Sequence, residues 1–208
     1  MTENTILLVG AGGHARACID VLEAGGWNIV GLLGLPAEVG ISVLGYSIVG
    51  TDQDLKLFRN RVQAVLIAIG QIESVTPRIT AFEQARSVGF ELPAVISRHA
   101  YVSKHATIGE GTIIMHGAVV NAGAQVGSNC IVNSNALIEH DAEVGNHCHI
   151  STRSVINGAT RVGDRCFIGS GSVIRNGVEI GDDCFIAMGC NVWKKVAAGS
   201  RVLGGING

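Results

Sequence analysis

The chain of 208 residues carries few charges and no long apolar run. Charged residues make up 15 % of it, whereas a typical soluble domain has about a quarter. The formal net charge is −2 and Lys and Arg never cluster, so the chain lacks an electrostatic surface for nucleic acid. No apolar run approaches the roughly 18 residues of a transmembrane helix. We therefore expect neither nucleic acid nor a membrane among its partners.

Signals for secretion and for metal binding are also missing. The opening MTENTILLVG has no basic segment followed by an apolar segment and a cleavage site, so we predict no signal peptide and a soluble, cytoplasmic protein. Six cysteines are present, but they form no Cys-x-x-Cys pair, the commonest zinc signature.

From Val95 onward the chain divides into blocks of six residues without an insertion. The second position of each block is Ile or Val 17 times in succession, from Ile96 to Val192, and the sixth position is small or medium-sized. A period of six is typical of a β-helix. We expect one short strand and one corner per block, three blocks per coil, inward-pointing residues at position two, and coils stacked at about 4.8 Å.

Cysteine and glycine fall in register with these coils. Five of the six cysteines occupy position six, and we interpret them as small buried groups rather than as nucleophiles or zinc ligands. They are Cys130, Cys148, Cys166, Cys184 and Cys190. In every third block, position three is glycine, and we predict that this corner needs a positive φ. These glycines are Gly109, Gly127, Gly145, Gly163 and Gly181.

The first 92 residues follow other periods and are predicted to form a domain of their own, 1–92, ahead of a repeat domain, 93–208. The predicted strands are TILLVG (5–10), WNIVGLL (27–33) and QAVLIAIG (63–70), and the predicted helices are 14–26 and 74–90. Strands that alternate with helices indicate a small, Rossmann-like parallel α/β unit. The predicted fold class is therefore mixed, with an α/β unit followed by a parallel β-helix.

The stretch VGAGGHA (9–15) lies between a predicted strand and helix and matches G-x-G-x-x-A. Its glycines let the backbone approach a phosphate, and the helix N-terminus presents N–H groups. The ligand could be a nucleotide sugar or NAD, or the loop could be only a tight turn. NAD is disfavoured because no acidic residue follows the second strand before Glu38 and the unit is short. Gly70, at the end of the third strand, is expected to line the same crevice.

The motifs GAGGHA, AIG and IEHD, with His149 nine residues after the histidine of IEHD, together resemble the bacterial sugar acyltransferases of the sialic-acid O-acetyltransferase type. Relatives of this type include N-acetyltransferases of nucleotide-linked 4-amino-4,6-dideoxy sugars. The resemblance covers nearly the whole chain. It implies a left-handed β-helix, a homotrimer, and acetyl-CoA bound in a groove between neighbouring subunits, with no metal.

The resemblance also implies a reaction and its residues. Acetyl transfer to the 4-amino group of a nucleotide-linked amino sugar in surface-glycan biosynthesis is the implied reaction, and O-acetylation of a sialic-acid-like sugar is the alternative. The general base would be His140, assisted by Asp141. The acetyl-CoA contacts would be His149, Gly158, Ser170 and Met188. The nucleotide sugar would contact Gly12, Gly13 and Gly70, with His14 nearby.

The residues themselves support a base at His140. At position four of its block it is expected at an outward corner, and a neutral imidazole is available near pH 7. A carboxylate from Asp141 or Glu139 would fix its tautomer, and the resemblance favours Asp141. A backbone N–H near Gly158 would stabilise the oxyanion. The other corner histidines are interpreted as surface residues: His99, His105, His116 and His147.

Two departures from the family pattern and two other function classes stand beside this hypothesis. Gly34 and Leu35 occupy the places of paired acids that recognise the nucleotide in many relatives, so uridine recognition of that type is not expected. The chain ends in RVLGGING rather than in a Gly-x-Pro-Ala motif and tail, which implies a different adenine site or a truncated C-terminus.

The other function classes are a β-helix carbonic anhydrase with zinc, which lacks the α/β unit and IEHD, and a non-catalytic scaffold.

Overall fold

The computed structural model describes residues 4–204 and the backbone of residues 206–207. The first three residues of MTENTILLVG, and positions 205 and 208 of RVLGGING, lie outside the described residues. The chain divides into two compact units, Met1–Ser97 and Arg98–Gly208, a boundary slightly beyond the expected one. Within the described ranges, none of the helices has the length and apolar character that crossing a membrane requires.

The first unit contains a five-stranded sheet and two α-helices. Its strands are β1 Thr5–Val9, β2 Asn28–Leu33, β3 Ser42–Val43, β4 Tyr46–Gly50 and β5 Ala64–Ile67, and its helices are α1 Gly13–Gly25 and α2 Thr76–Val88. The strand order is β3-β4-β2-β1-β5, and every pair is parallel except β3 with β4. The predicted strands and helices are all present; the three strands and α2 are one to four residues shorter than predicted, and α1 is shifted by one residue.

The apolar runs of this unit form its core because β1 lies between β2 and β5. All four residues of β5 are buried, as are the last four of β1. Helix α1 ends at Gly25 and is capped by Gly26, whose φ of 73° is the left-handed conformation that glycine adopts without steric cost. No element is predicted between residues 34 and 62, where the structure has β3, β4 and the 3-10 helices Pro36–Glu38 and Asp52–Phe58. β4 is as long as β1, but only two of its five residues are buried, so it lacks the continuous apolar run that marks β1 and β5.

The second unit is a β-helix whose strands of two residues form three parallel sheets, one on each side. β6 Val95–Ile96 is the last strand of the first unit. Side 1 of the second unit contains β9 Ile113–Ile114, β12 Ile131–Val132, β15 His149–Ile150, β18 Phe167–Ile168, β21 Phe185–Ile186 and β23 Arg201–Val202. Side 2 contains β7 Tyr101–Val102, β10 Val119–Val120, β13 Leu137–Ile138, β16 Val155–Ile156, β19 Val173–Ile174, β22 Asn191–Val192 and β24 Ile206–Asn207. Side 3 contains β8 Thr107–Ile108, β11 Gln125–Val126, β14 Glu143–Val144, β17 Arg161–Val162 and β20 Glu179–Ile180.

The repeat fixes both the core and the register of this unit. Paired strands are 18 residues apart, as Val119 with Leu137 and Leu137 with Val155 show. From Ile114 to Val192 the residues at position two are at most 4 % exposed. The predicted mixed fold, an α/β unit followed by a left-handed β-helix of hexapeptide repeats, is confirmed. We call the turns that follow the strands of sides 1, 2 and 3 corner 1, corner 2 and corner 3.

The prediction of a positive φ at the position-three glycines is wrong. None of the five has a left-handed φ, which occurs instead at position five, as at Asn135 (58°) and Ala159 (56°). A Cβ on Gly127 would lie 2.7 Å from the backbone carbon of Gly145 in the next coil. Glycine is therefore required at position three because adjacent coils stack too closely for a side chain.

The position-six cysteines form hydrogen bonds between coils. The backbone N–H of Cys148 donates to Sγ of Cys130 at 3.4 Å, and the Cys148 thiol donates to the carbonyl oxygen of Gly163 at 3.0 Å. At the start of the same column, the hydroxyl of Thr112 accepts from the N–H of Cys130 at 2.9 Å. Burial raises the pKa of the Cys148 thiol well above its ordinary value, so the thiol stays protonated and unreactive.

Candidate functional site

A cavity of about 460 Å³ opens in the first unit at the carboxyl ends of β1, β2 and β5. It brings together the four residues that the resemblance assigns to the nucleotide sugar, Gly12, Gly13, His14 and Gly70. Helix α1 begins at Gly13 with no acidic residue in its first turn, so its N–H groups and positive dipole end suit an anion. A Cβ on Gly70 would lie 3.4 Å from Cβ of His14, so His14 packs close to the end of β5.

Two carboxylates that the sequence did not single out also line this cavity, those of Glu38 and Asp52. Oε2 of Glu38 accepts a hydrogen bond from the N–H of Leu35 at 2.8 Å. A Cβ on Gly34 would lie 2.9 Å from the same oxygen, so glycine leaves room for this carboxylate. The 3-10 helix Pro36–Glu38 thus places a carboxylate near the end of β2, where Gly34 and Leu35 have no acidic side chain. Burial raises the pKa of Asp52.

A buried arginine of α2, which the sequence patterns did not reveal, fixes the adjacent strand end. Nη1 of Arg78 donates to the carbonyl oxygens of Ile67 at 2.6 Å and Ile69 at 2.9 Å. The residue is 0 % exposed, so its charge acts through protein rather than through water. Arg78 therefore holds the segment after β5 that forms one wall of the cavity, and it adds positive charge beside it.

In the second unit, His140 and Asp141 form a hydrogen-bonded dyad at corner 2, directly after β13. Nδ1–H of His140 donates to Oδ2 of Asp141 at 2.9 Å, and the two side chains are 61 % and 70 % exposed. This bond is the largest cause of the raised pKa of His140. With the proton held on Nδ1, the lone pair of a neutral ring lies on Nε2, where a base needs it.

The structure distinguishes the two carboxylates that could assist this ring. Oε2 of Glu139 accepts from the backbone N–H of His140 at 3.2 Å and from Nδ2 of Asn121 at 2.9 Å. Glu139 thus anchors the backbone of His140, while Asp141 contacts the ring. Asn121 lies one coil earlier on the same side and was not singled out from the sequence.

Gly158 lies against the imidazole. A Cβ at this position would be 2.7 Å from Nε2 of His140 and 3.2 Å from Nδ2 of Asn176. The N–H of the next residue, Ala159, donates to the carbonyl oxygen of His140 at 3.0 Å. Of the residues that the resemblance assigns to acetyl-CoA, Gly158 is the one beside the dyad.

The other three residues assigned to acetyl-CoA belong to side 1 and corner 1. His149 is 7 % exposed; its Nε2 lies 3.2 Å from Nδ2 of Asn133, and its ring meets Phe167 edge-on at 5.2 Å. The hydroxyl of Ser170 is 2.9 Å from that of Ser151. Met188, one coil further, is 78 % exposed. Within one chain the assigned residues therefore divide between two corners.

The remaining histidines have mixed environments. His147 is half-buried, and its Nδ1 lies 3.0 Å from Nδ2 of Asn129. The rings of His99 and His116 meet edge-on, with their centroids 5.5 Å apart. His105 is exposed. The described part of the chain contains no group of three or more His, Cys, Asp or Glu side chains arranged to hold a metal ion.

Comparisons with known proteins were made for the whole chain. Residues 5–74 match the family model of the PglD N-terminal domain. Residues 105–139 and 123–158 match bacterial transferase hexapeptide repeats, and residues 159–193 match the hexapeptide repeat of succinyl-transferase. A search of curated proteins found no match.

Three solved structures are similar over almost their full length. PerB from Caulobacter crescentus, in complex with CoA and GDP-perosamine, is 31 % identical over 96 % of this chain and 94 % of its own, with a TM-score of 0.90. A mutant perosamine N-acetyltransferase from the same organism, with the same two ligands, is 30 % identical over 96 % and 93 %, with a TM-score of 0.90. The acetyltransferase domain of PglB from Neisseria gonorrhoeae, in complex with acetyl coenzyme A, is 29 % identical over 97 % of both chains, with a TM-score of 0.89.

Proposed function

Because the chain belongs to the hexapeptide-repeat sugar acyltransferases with a PglD-type N-terminal domain, we propose that it acetylates the 4-amino group of a nucleotide-linked amino-dideoxy sugar. Acetyl-CoA is the donor, and the product belongs to surface-glycan biosynthesis. The complexes of the relatives with CoA, acetyl coenzyme A and GDP-perosamine support both substrates. The observation that carries the proposal is the His140–Asp141 dyad at the edge of the β-helix.

The dyad supports direct transfer with His140 as general base. Nε2 accepts a proton from the amine as the nitrogen attacks the thioester carbonyl, and Asp141 stabilises the imidazolium that forms. As the C–S bond breaks, the same proton passes to the departing thiolate of CoA, so the histidine is neutral again at the end. No covalent enzyme intermediate is needed, and alignment of the two substrates supplies much of the rate.

The cavity of the first unit supports nucleotide recognition. The α1 N-terminus and the buried Arg78 favour the diphosphate, and the carboxylate of Glu38 can accept hydrogen bonds from hydroxyl or N–H groups of the nucleoside. We assign Gly12, Gly13, His14 and Gly70 to this site because they line it together.

The outward surface of side 2 supports the homotrimer. The position-one residues of four successive coils on this side are apolar and half-buried: Val119, Leu137, Val155 and Val173. The corresponding residues of side 3 are all polar or charged: Thr107, Gln125, Glu143, Arg161 and Glu179. Side 1 also has apolar residues at this position, among them Ile113, Ile131, Phe167 and Phe185. Apolar columns on sides 1 and 2, with a polar side 3, favour packing against other copies. Corner 2 of one subunit and corner 1 of its neighbour would then complete the acetyl-CoA site, with His149, Ser170 and Met188 from the neighbour.

The test is a thiol-release assay with acetyl-CoA and a panel of GDP-, UDP- and dTDP-linked 4-amino sugars and free sialic acids. We expect release with an amino sugar and a loss of about 10²- to 10⁴-fold in kcat for His140→Asn, with acetyl-CoA binding retained. Release only with sialic acids would instead establish O-acetylation. A fully active His140→Asn variant would contradict the assignment of the base.

A further inference from the structure

Corner 2 has a column of position-five residues that includes Asp141 of the dyad. Successive coils place there His105, Gly123, Asp141, Ala159 and Gly177. The φ values are 76° at Gly123, 59° at Asp141, 56° at Ala159 and 68° at Gly177. Because Ala159 adopts this conformation with a side chain, a positive φ alone does not explain the glycine at position 123.

The space beside Gly123 is taken by the carboxylate of the dyad. A Cβ on Gly123 would overlap Oδ1 of Asp141, and it would lie 3.5 Å from the backbone nitrogen of Asp141. The other oxygen, Oδ2, is the acceptor for Nδ1–H of His140 at 2.9 Å. We propose that Gly123 is a positioning residue, whose missing side chain leaves the space in which the Asp141 carboxylate holds the catalytic ring.

Contacts on the other side of the dyad leave it little freedom to adjust. The imidazole lies against Gly158, where a Cβ would be 2.7 Å from Nε2. The backbone N–H of His140 donates to Glu139, and the N–H of Asp141 donates to the carbonyl oxygen of Ala122 at 3.2 Å. We therefore expect a methyl group at position 123 to push the carboxylate away from Nδ1, because the backbone on both sides of the dyad is held by hydrogen bonds.

The expected consequence of Gly123→Ala is a misplaced ring with a weaker base. We expect kcat to fall about 10- to 100-fold, since small displacements of a catalytic group cost rates of this order. The hydrogen bond to Asp141 raises the pKa of His140. Displacing the carboxylate should therefore lower that pKa towards the ordinary value of an exposed histidine.

Two glycines of the same β-helix provide matched controls. Gly177→Ala, in the same column, tests the positive φ alone, because nothing lies within 4 Å of a Cβ there. Gly117→Ala, at corner 1, tests the same collision without the dyad, since its Cβ would overlap Oδ1 of Asn135 at a φ of 70°. Both variants should have the same kcat and the same pKa of the His140 ring as the unmodified protein.

The experiment measures kcat and, by NMR, the titration of the His140 ring, identified by its loss in His140→Asn. A lowered pKa together with a reduced kcat in Gly123→Ala alone supports the proposal. An unchanged titration in Gly123→Ala, or an equal effect in Gly117→Ala, would overturn it.

A double variant keeps the proposal testable if Gly123→Ala does not fold. In Gly123→Ala/Asp141→Ala the overlapping carboxylate is absent, so the chain should fold and have the kcat of Asp141→Ala. A further loss would show that Gly123 acts on something other than Asp141. The kinetic measurement presupposes the proposed acetyl transfer, whereas the ring titration does not. Failure of the proposed function can therefore be distinguished from failure of the proposed role of Gly123.

Discussion

At the scale of single residues, the proposed catalysis at corner 2 depends on several side chains with different roles. Asp141 contacts the ring, Glu139 holds the backbone, and Gly123 and Gly158 leave space on either side. The dyad is largely exposed in one subunit, so its hydrogen bond rather than burial sets the basicity of His140.

Asp141→Asn should move the acidic limb of the pH–rate profile to lower pH. The base is active when neutral, so activity falls as pH drops through the pKa of His140, which Asp141 raises. Without the carboxylate this pKa falls, and so does the plateau value of kcat. The profile of kcat against pH is the measurement, and Glu143→Gln on side 3 is the control. An acidic limb at its original pH would rule out Asp141 as the partner of the ring.

Glu38→Gln should weaken nucleotide-sugar binding and leave acetyl-CoA binding unchanged. Loss of a charged acceptor at the end of β2 is expected to raise KM for the nucleotide sugar about tenfold or more, because hydrogen bonds to charged groups contribute about 1.5–3 kcal/mol. Calorimetric titration with GDP and UDP measures the same effect directly. The control is Glu23→Gln, whose carboxylate accepts from the Tyr46 hydroxyl. Unaltered nucleotide affinity in Glu38→Gln would exclude this role.

At the scale of elements, each coil is held to the next by the same few devices. Position-two aliphatic side chains fill the interior, position-three glycines allow close stacking, and position-six thiols or hydroxyls bond neighbouring coils. Thr112 and Ser172 also occupy position six, and their hydroxyl groups donate to backbone carbonyl oxygens of the next coil as the thiols do. We therefore expect the sulfur to act through its hydrogen bonds and its size rather than through its reactivity.

Replacing Cys148 should show this requirement. Cys148→Ser keeps a donor and an acceptor at the corner, whereas Cys148→Val loses both and leaves the carbonyl of Gly163 without that donor. We expect Cys148→Val to lower the free energy of unfolding by about 1–3 kcal/mol and Cys148→Ser to lower it less. Denaturant titration of both variants is the measurement. Equal stability of the two variants would indicate that the hydrogen bonds of this thiol do not contribute measurably.

At the scale of the whole molecule, the two units contribute different parts of the proposed reaction. The first offers a crevice for a nucleotide, and the second offers a base and an apolar outer side. The residues assigned to acetyl-CoA lie on two corners of one β-helix, which is why the proposed site needs a neighbouring subunit.

Leu137→Arg should break this assembly. A charge in the middle of the apolar column of side 2 would be desolvated in the interface, so we expect a species smaller than a trimer and loss of acetyl transfer. Light scattering after size exclusion gives the mass, and Gln125→Arg on side 3 is the matched control. A trimeric Leu137→Arg variant would place the interface elsewhere.

The amino-acid sequence alone determined the β-helix, the α/β unit and the position of the dyad, because inward-facing residues repeat every six positions and the glycine loop and IEHD are local motifs. Only the tertiary structure decided that Asp141 and not Glu139 contacts the ring, that Glu38 returns to the end of β2, and that the position-three glycines serve stacking. The stacking depends on contacts between coils, whose partners are 18 residues apart. The Asp141 contact depends on a side-chain direction set by a positive φ at position five, and the placement of Glu38 depends on the 3-10 helix after β2. A linear pattern records which residues are buried, but not which atoms meet across a coil.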